Sequence, residues 1–125
     1  MNNQDVTALF TQWQQALTSQ DEKIVTALYA DNATLLPTVS NQVRHNHEEI
    51  EDYFVQLLAN EPTVEMVEQN IRIFDEISIN SGVYIFTLKG GITICARFSF
   101  VYQLITGHWK IIEHHSSEMP ENLVG

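Results

Sequence analysis

The stretch "ITICARFSFVYQLITGHWKIIEHHSSE", residues 92–118, reads as two long β-segments, about 92–105 and 109–117, joined at Thr106-Gly107-His108. Its Val, Ile, Phe, Tyr and Trp content suits a pleated surface, and the glycine turn suits a hairpin. In the first segment Ile92, Ile94, Ala96, Phe98, Phe100 and Tyr102 share one face, and Thr93, Cys95, Arg97, Ser99, Val101 and Gln103 share the other. A strand with water on one side carries a polar row there, whereas the second face here is small, semi-apolar and holds one charge. The sheet is therefore expected to have helices on one face and a second subunit or a pocket on the other; parity leaves open which face is which.

Working outward, residues 64–74 and 77–88 have the same β character, and Lys89-Gly90-Gly91 supplies another hairpin turn. Three of these strands are expected to form an antiparallel meander. Upstream the period changes. Val6, Leu9, Phe10, Trp13, Ala16 and Leu17 recur at helical spacing over about 5–18. Ser19 with Glu22 reads as the capping box of a second helix that carries Ile24, Val25, Leu28 and Tyr29 inward. "ATLLPT" (33–38) is a short strand at an edge or ending at Pro37, and Asn46 with Glu49 caps a third helix over about 47–60 with Ile50, Tyr53, Phe54, Leu57 and Leu58 buried. Helices first and hairpins afterwards make an α+β fold: three N-terminal helices on a mostly antiparallel sheet, one domain over residues 1–125.

Charge and composition narrow the function. Sixteen acidic residues against six basic ones give a net charge of -10, with no Lys/Arg cluster to follow a phosphate backbone, so nucleic acid is not expected as a partner. Cys95 is the single cysteine, which excludes an intrachain disulfide and a four-cysteine zinc site and suits a reducing cytoplasm. No segment has the run of about eighteen apolar residues that a membrane span requires, and "MNNQDVTALF" lacks a signal-peptide pattern.

Among candidate site residues Arg97 is the sharpest, because a guanidinium in mid-strand cannot be neutralised and is costly to bury unpaired. It anchors a carboxylate ligand in a cavity, pairs with an acid such as Glu113, or stands on the outer sheet face. His114 and His115 point to opposite faces of a regular strand, so only one can line a pocket, as acid/base or polar wall, while the other is structural. Glu113 and His115 are expected on one face, and Ile112, His114 and Ser116 on the other. Trp13 and Tyr53 are candidate wall residues. His45 and His47 could share a metal, but Asn46 as a cap and His47-Glu48-Glu49 as an acidic first turn explain that segment without one. Ser116 and Ser117 lack a nucleophile turn, Cys95 has no assured cationic neighbour, and no catalytic residue, metal or cofactor is assigned.

Together "LYADNATLLPT", "EEIEDYFVQLL", "ARFSFVY" and "WKIIEHHSSEMPE" resemble the nuclear-transport-factor-2-like superfamily, and within it the association (hub) domain of calcium/calmodulin-dependent protein kinase II and its free-standing bacterial relatives. The resemblance implies a cone of three helices on a strongly curved sheet, a cavity between them, and homodimers through the sheet that assemble into rings. Combined with the candidate residues above, it points to a self-associating module whose cavity binds a small carboxylate, with Arg97 matching the family's pattern as the anchor and His114, His115, Tyr53 and Trp13 as the further binding residues. The alternative in such cavities is a cofactor-independent isomerase, dehydratase or polyketide cyclase with a histidine as acid/base. Kinase chemistry is not expected, because the chain has no glycine-rich loop with a strand lysine, no His-Arg-Asp and no Asp-Phe-Gly.

Overall fold

The computed structural model describes residues 1–38 and 40–121; Val39 and residues 122–125, the last part of the expected 1–125 domain, lie outside the described residues. Helix α1 (Asn3–Thr18) starts at a reciprocal cap, in which the Asn2 side chain accepts from the Asp5 N–H and the Asp5 carboxylate accepts from the Asn2 N–H. Its buried stripe is Val6, Phe10, Trp13, Ala16 and Leu17. Helix α2 (Glu22–Thr26) is capped by Asp21, not by Ser19, whose hydroxyl donates to the Ala16 carbonyl of the preceding helix. It stops at one turn and a half because the Leu28 carbonyl accepts from the Ile111 N–H, and Tyr29 passes out of the expected helix into strand β1 (Tyr29–Leu36). Sheet pairing overrides the local helical period there. Helix α3 (His47–Leu58) begins at Asn46, which accepts from the Glu49 N–H as expected.

Strands β2 (Thr63–Phe74), β3 (Ile77–Leu88), β4 (Ile92–Ile105) and β5 (His108–Glu118) form a four-strand antiparallel meander, one strand longer than the glycine turns alone signal. The extra turn is Asp75-Glu76, which contains no glycine. Strand β1 adds to β5 in parallel, giving one sheet in the order β1-β5-β4-β3-β2 with β1 and β2 as edges. The α+β expectation of helices followed by a curved, mostly antiparallel sheet holds.

Parity on β4 resolves as follows: Ala96, Phe98, Phe100 and Tyr102 are buried beneath the helices, and Arg97 is exposed on the opposite, outer face. Trp13 of α1 stacks on Tyr84 of β3 at 5.8 Å and meets Phe86 and Phe100 edge-on, so one tryptophan joins the first helix to the middle of the sheet. Strand β5 carries a register shift opposite Val101/Tyr102, so the buried series is Ile111, His114, Ser116, and Ile112 rather than Ile111 is the displaced residue. Ile112, at the bulge, is half-buried against the core, so the expected grouping of Ile112 with His114 and Ser116 stands and Ile111 joins it.

A second irregularity lies in β2, where the pairing shifts between Met66 and Glu68 and leaves Val67 exposed. Opposite it, a Cβ on Gly82 would stand 1.9 Å from the Glu68 carbonyl oxygen, so glycine is required by close backbone approach. Gly82→Ala is expected to lower stability by about 1–3 kcal/mol, read as a reduced midpoint in urea denaturation with the slope unchanged.

Candidate functional site

Between the sheet and α3 lies a cavity of about 220 Å³. Leu57, Phe86, Leu88 and Ile94 form its apolar wall, and Thr38, Ser40, Tyr53, Gln56 and Asn60 supply hydroxyl and amide groups. None of these residues is ionised at neutral pH. Deeper in, a void of about 10 Å³ shares Tyr53, Leu57 and Phe86 with the cavity and is bounded by Trp13, Tyr84, His114 and Ser116. Small pocket, apolar wall and a few convergent polar groups are the features of a small-molecule site.

A buried hydrogen-bond chain leads from the core to this cavity. The Trp13 Nε1–H donates to the Tyr29 hydroxyl at 3.1 Å, and that hydroxyl lies 2.8 Å from His114 Nδ1. On the other side of the ring, the Tyr84 hydroxyl is 3.2 Å from Nε2 and donates to Ser116 Oγ at 2.6 Å. Ser116 is hydrogen-bonded in turn to the hydroxyl of Thr38, a residue of the cavity wall. Tyr53 closes the group by donating to the Thr38 carbonyl at 3.3 Å. His114 is also stacked on Phe100 at 4.0 Å, with Trp13 edge-on to it.

Burial governs the ionisation of this group. It pushes His114 down to about 3, with the neighbouring His115 adding to the effect, so the imidazole is neutral. Burial raises the phenols of Tyr29 and Tyr84 well above their ordinary value and carries Tyr53 up to about 12. The buried row of hydrogen-bonded side chains is thus uncharged near neutrality.

The expected site residues separate. His114 and Trp13 enter the buried chain, and Tyr53 lines the cavity. His115 is exposed on the outer side, beside Leu36, Pro37 and Ser117 in a surface depression. Arg97, expected in the cavity, is exposed on the outer face, because it alternates with Ala96 and Phe98, which the helices cover. A buried guanidinium does exist, at Arg44: it pairs with Asp52 at 2.9 Å, donates to the Glu49 carbonyl and sits 5.8 Å from the Tyr53 ring centroid. Its strand-like bridge to Leu35 places it behind Tyr53 rather than in the cavity. His45 pairs with Glu49, and His47 is bonded to the Tyr29 carbonyl, so the two rings serve separate contacts.

Tyr84 and Thr38 carried no expectation from the sequence, Tyr29 was expected only as an inward helical residue, and Ser116 only as a neighbour of His114 without a nucleophile turn. The available signal was the tyrosine at an inward position of β3, since a buried phenol needs a hydrogen-bond partner.

The depressed His114 value sets the sign of an acid effect. Between its ordinary value of 6.5 and about 3 the unfolded chain takes up a proton that the folded chain refuses. This contribution to stability is complete above pH 6.5 and is lost on acidification, by at most roughly 1.4 kcal/mol per pH unit. Urea denaturation from pH 7 to 4 should show a shallower acid-side loss in His114→Gln than in the unsubstituted chain.

Comparison with known proteins fits this architecture. No curated protein is significantly similar to the chain. A protein from Xanthomonas campestris assigned to the calcium/calmodulin dependent protein kinase II association domain is 42% identical over 98% of this chain and 91% of that one, with a TM-score of 0.94. An NTF2-like protein of unknown function from Pseudomonas putida has a TM-score of 0.83 at 15% identity, covering 97% and 88% of the two chains. A Streptomyces avermitilis protein of the NTF2-like family, named as a candidate dehydratase, has a TM-score of 0.79 at 12% identity, covering 93% and 95%. The last two likenesses establish the fold alone. The family model described as calcium/calmodulin dependent protein kinase II association domain matches residues 2–120, and the chain belongs to that family.

Proposed function

We propose that this chain is a self-associating module of the cytoplasm that binds a small molecule in the cavity beside Thr38 and Tyr53, and that it carries no kinase chemistry of its own. The observation that supports this reading is the division of labour across the sheet. On the inner face, helices and strands enclose the cavity. On the outer face, Ile77, Ile79, Val83, Ile85 and Val101 form a half-exposed apolar stripe on β3 and β4, with Ile79 opposite Val101, on the side away from the helices. An apolar sheet face of this kind is a surface for a second copy of the chain.

The ligand reading is modified by the position of Arg97. A carboxylate in the cavity would be met by hydroxyl and amide donors, not by a guanidinium. Arg97 instead stands opposite Val83 on the outer face, where it would contribute to self-association. The enzymatic alternative has less support. Its acid/base would have to be His114, and a group held near 3 and bonded at both nitrogens is poorly matched to proton transfer at neutral pH.

Sedimentation velocity at micromolar concentration tests the assembly. The unsubstituted chain is expected to sediment as a dimer or larger species and Ile79→Glu as a folded monomer, since a carboxylate would be desolvated at the centre of the contact. A monomeric unsubstituted chain would remove this reading.

A further inference from the structure

We propose that the buried hydrogen-bond chain runs in one direction only, and that this direction makes the Thr38 hydroxyl a donor toward the cavity, selecting ligands that present an acceptor oxygen there. The ligand class rests on the reading of the cavity as a small-molecule site. The direction of the chain does not.

At the head of the row stands Trp13, whose indole N–H can only donate. It donates to Tyr29, so the Tyr29 hydroxyl hydrogen must go elsewhere, and the acceptor within reach among the described residues is His114 Nδ1. A neutral imidazole that accepts at Nδ1 carries its proton on Nε2. Nε2–H then donates to Tyr84, Tyr84 donates to Ser116, and Ser116 donates to Thr38. Having accepted, the Thr38 hydroxyl keeps its own hydrogen as the last donor, in the wall of the cavity. The Thr38 carbonyl already accepts from Tyr53, and the hydroxyl hydrogen is the side-chain donor that the residue has left to offer the cavity.

The reverse direction would make Tyr29 accept from both Trp13 and His114 and would leave its hydrogen buried without a partner. Each hydrogen bond in such a row polarises the next, so a group near the centre of the core influences a hydroxyl in the cavity wall without touching a ligand. Tyr84, Ser116 and His114 are positioning residues in this sense, and Thr38 is the contact. Because the cavity walls are uncharged, a ketone and a carboxylate share the required chemistry.

The test combines nitrogen-15 NMR of histidine-labelled full-length protein with titration of three probes of similar shape: cyclohexanone, cyclohexanecarboxylate and cyclohexylamine. His114 is expected as the neutral ring protonated at Nε2. Cyclohexanone or cyclohexanecarboxylate is expected to bind, and whichever is tighter identifies the acceptor; cyclohexylamine is expected to bind at least about tenfold more weakly. Thr38→Val should weaken the acceptor probe by about five- to tenfold, Thr38→Ser should restore it, and Tyr84→Phe should weaken it although Tyr84 does not line the cavity. A ring protonated at Nδ1, an unchanged affinity in Thr38→Val, or equal binding of the amine would overturn the inference while leaving a binding cavity in place. Binding of none of the three probes would overturn the cavity reading and the ligand class with it.

Discussion

His114 occupies the middle of an aromatic core only because both of its ring nitrogens are hydrogen-bonded, Nδ1 to Tyr29 and Nε2 to Tyr84. An imidazole stripped of water and left unpaired would be costly at this depth, and a charged one costlier still. Satisfying it recruits residues from distant parts of the chain: Trp13 from the first helix, Tyr29 from the edge strand, Tyr84 from the middle of the meander, and Thr38 from the segment after β1. Local irregularities shape the same core. The truncation of α2 delivers Tyr29 to the sheet, and the register shift in β5 brings Ile111 to the same buried side as His114 and Ser116.

The cavity is polar but uncharged. The buried Arg44 is held by Asp52 and the α3 backbone behind Tyr53, and the exposed Arg97 stands on the other side of the sheet. What reaches the cavity is a row of hydroxyl and amide groups set in an apolar wall, which suits recognition by hydrogen-bond direction more than by charge. Membership of an association-domain family sits well with a sheet that buries one face itself and leaves an apolar stripe on the other.

Much of the fold was legible along the chain because its signals are local. The helical stripe of α1, the Asn46 cap and the alternation of β4 depend on neighbours a few residues apart. The misreadings have non-local causes. Tyr29 fits a helical period, yet β1 is held by pairing with β5, about eighty residues later. The β2–β3 turn carries no glycine, so the fourth member of the meander is secured by its long ladder instead. Tyr84 and Ser116 gave no sign of a site, since a tyrosine or serine in a β segment is ordinary until its partner is known.

By itself, then, the sequence determined the order of helices and strands, the alternation that splits β4 into two unlike faces, and the opposite orientations of His114 and His115, all consequences of backbone periods of 3.6 and 2. Only the tertiary structure decided which face is inside, that Arg97 looks outward while Arg44 is buried, and that Tyr84, Ser116 and Thr38 join His114 to a cavity. The reason is that a period fixes the angle between neighbouring side chains, whereas burial and hydrogen-bond partnership depend on which remote segments the sheet brings together.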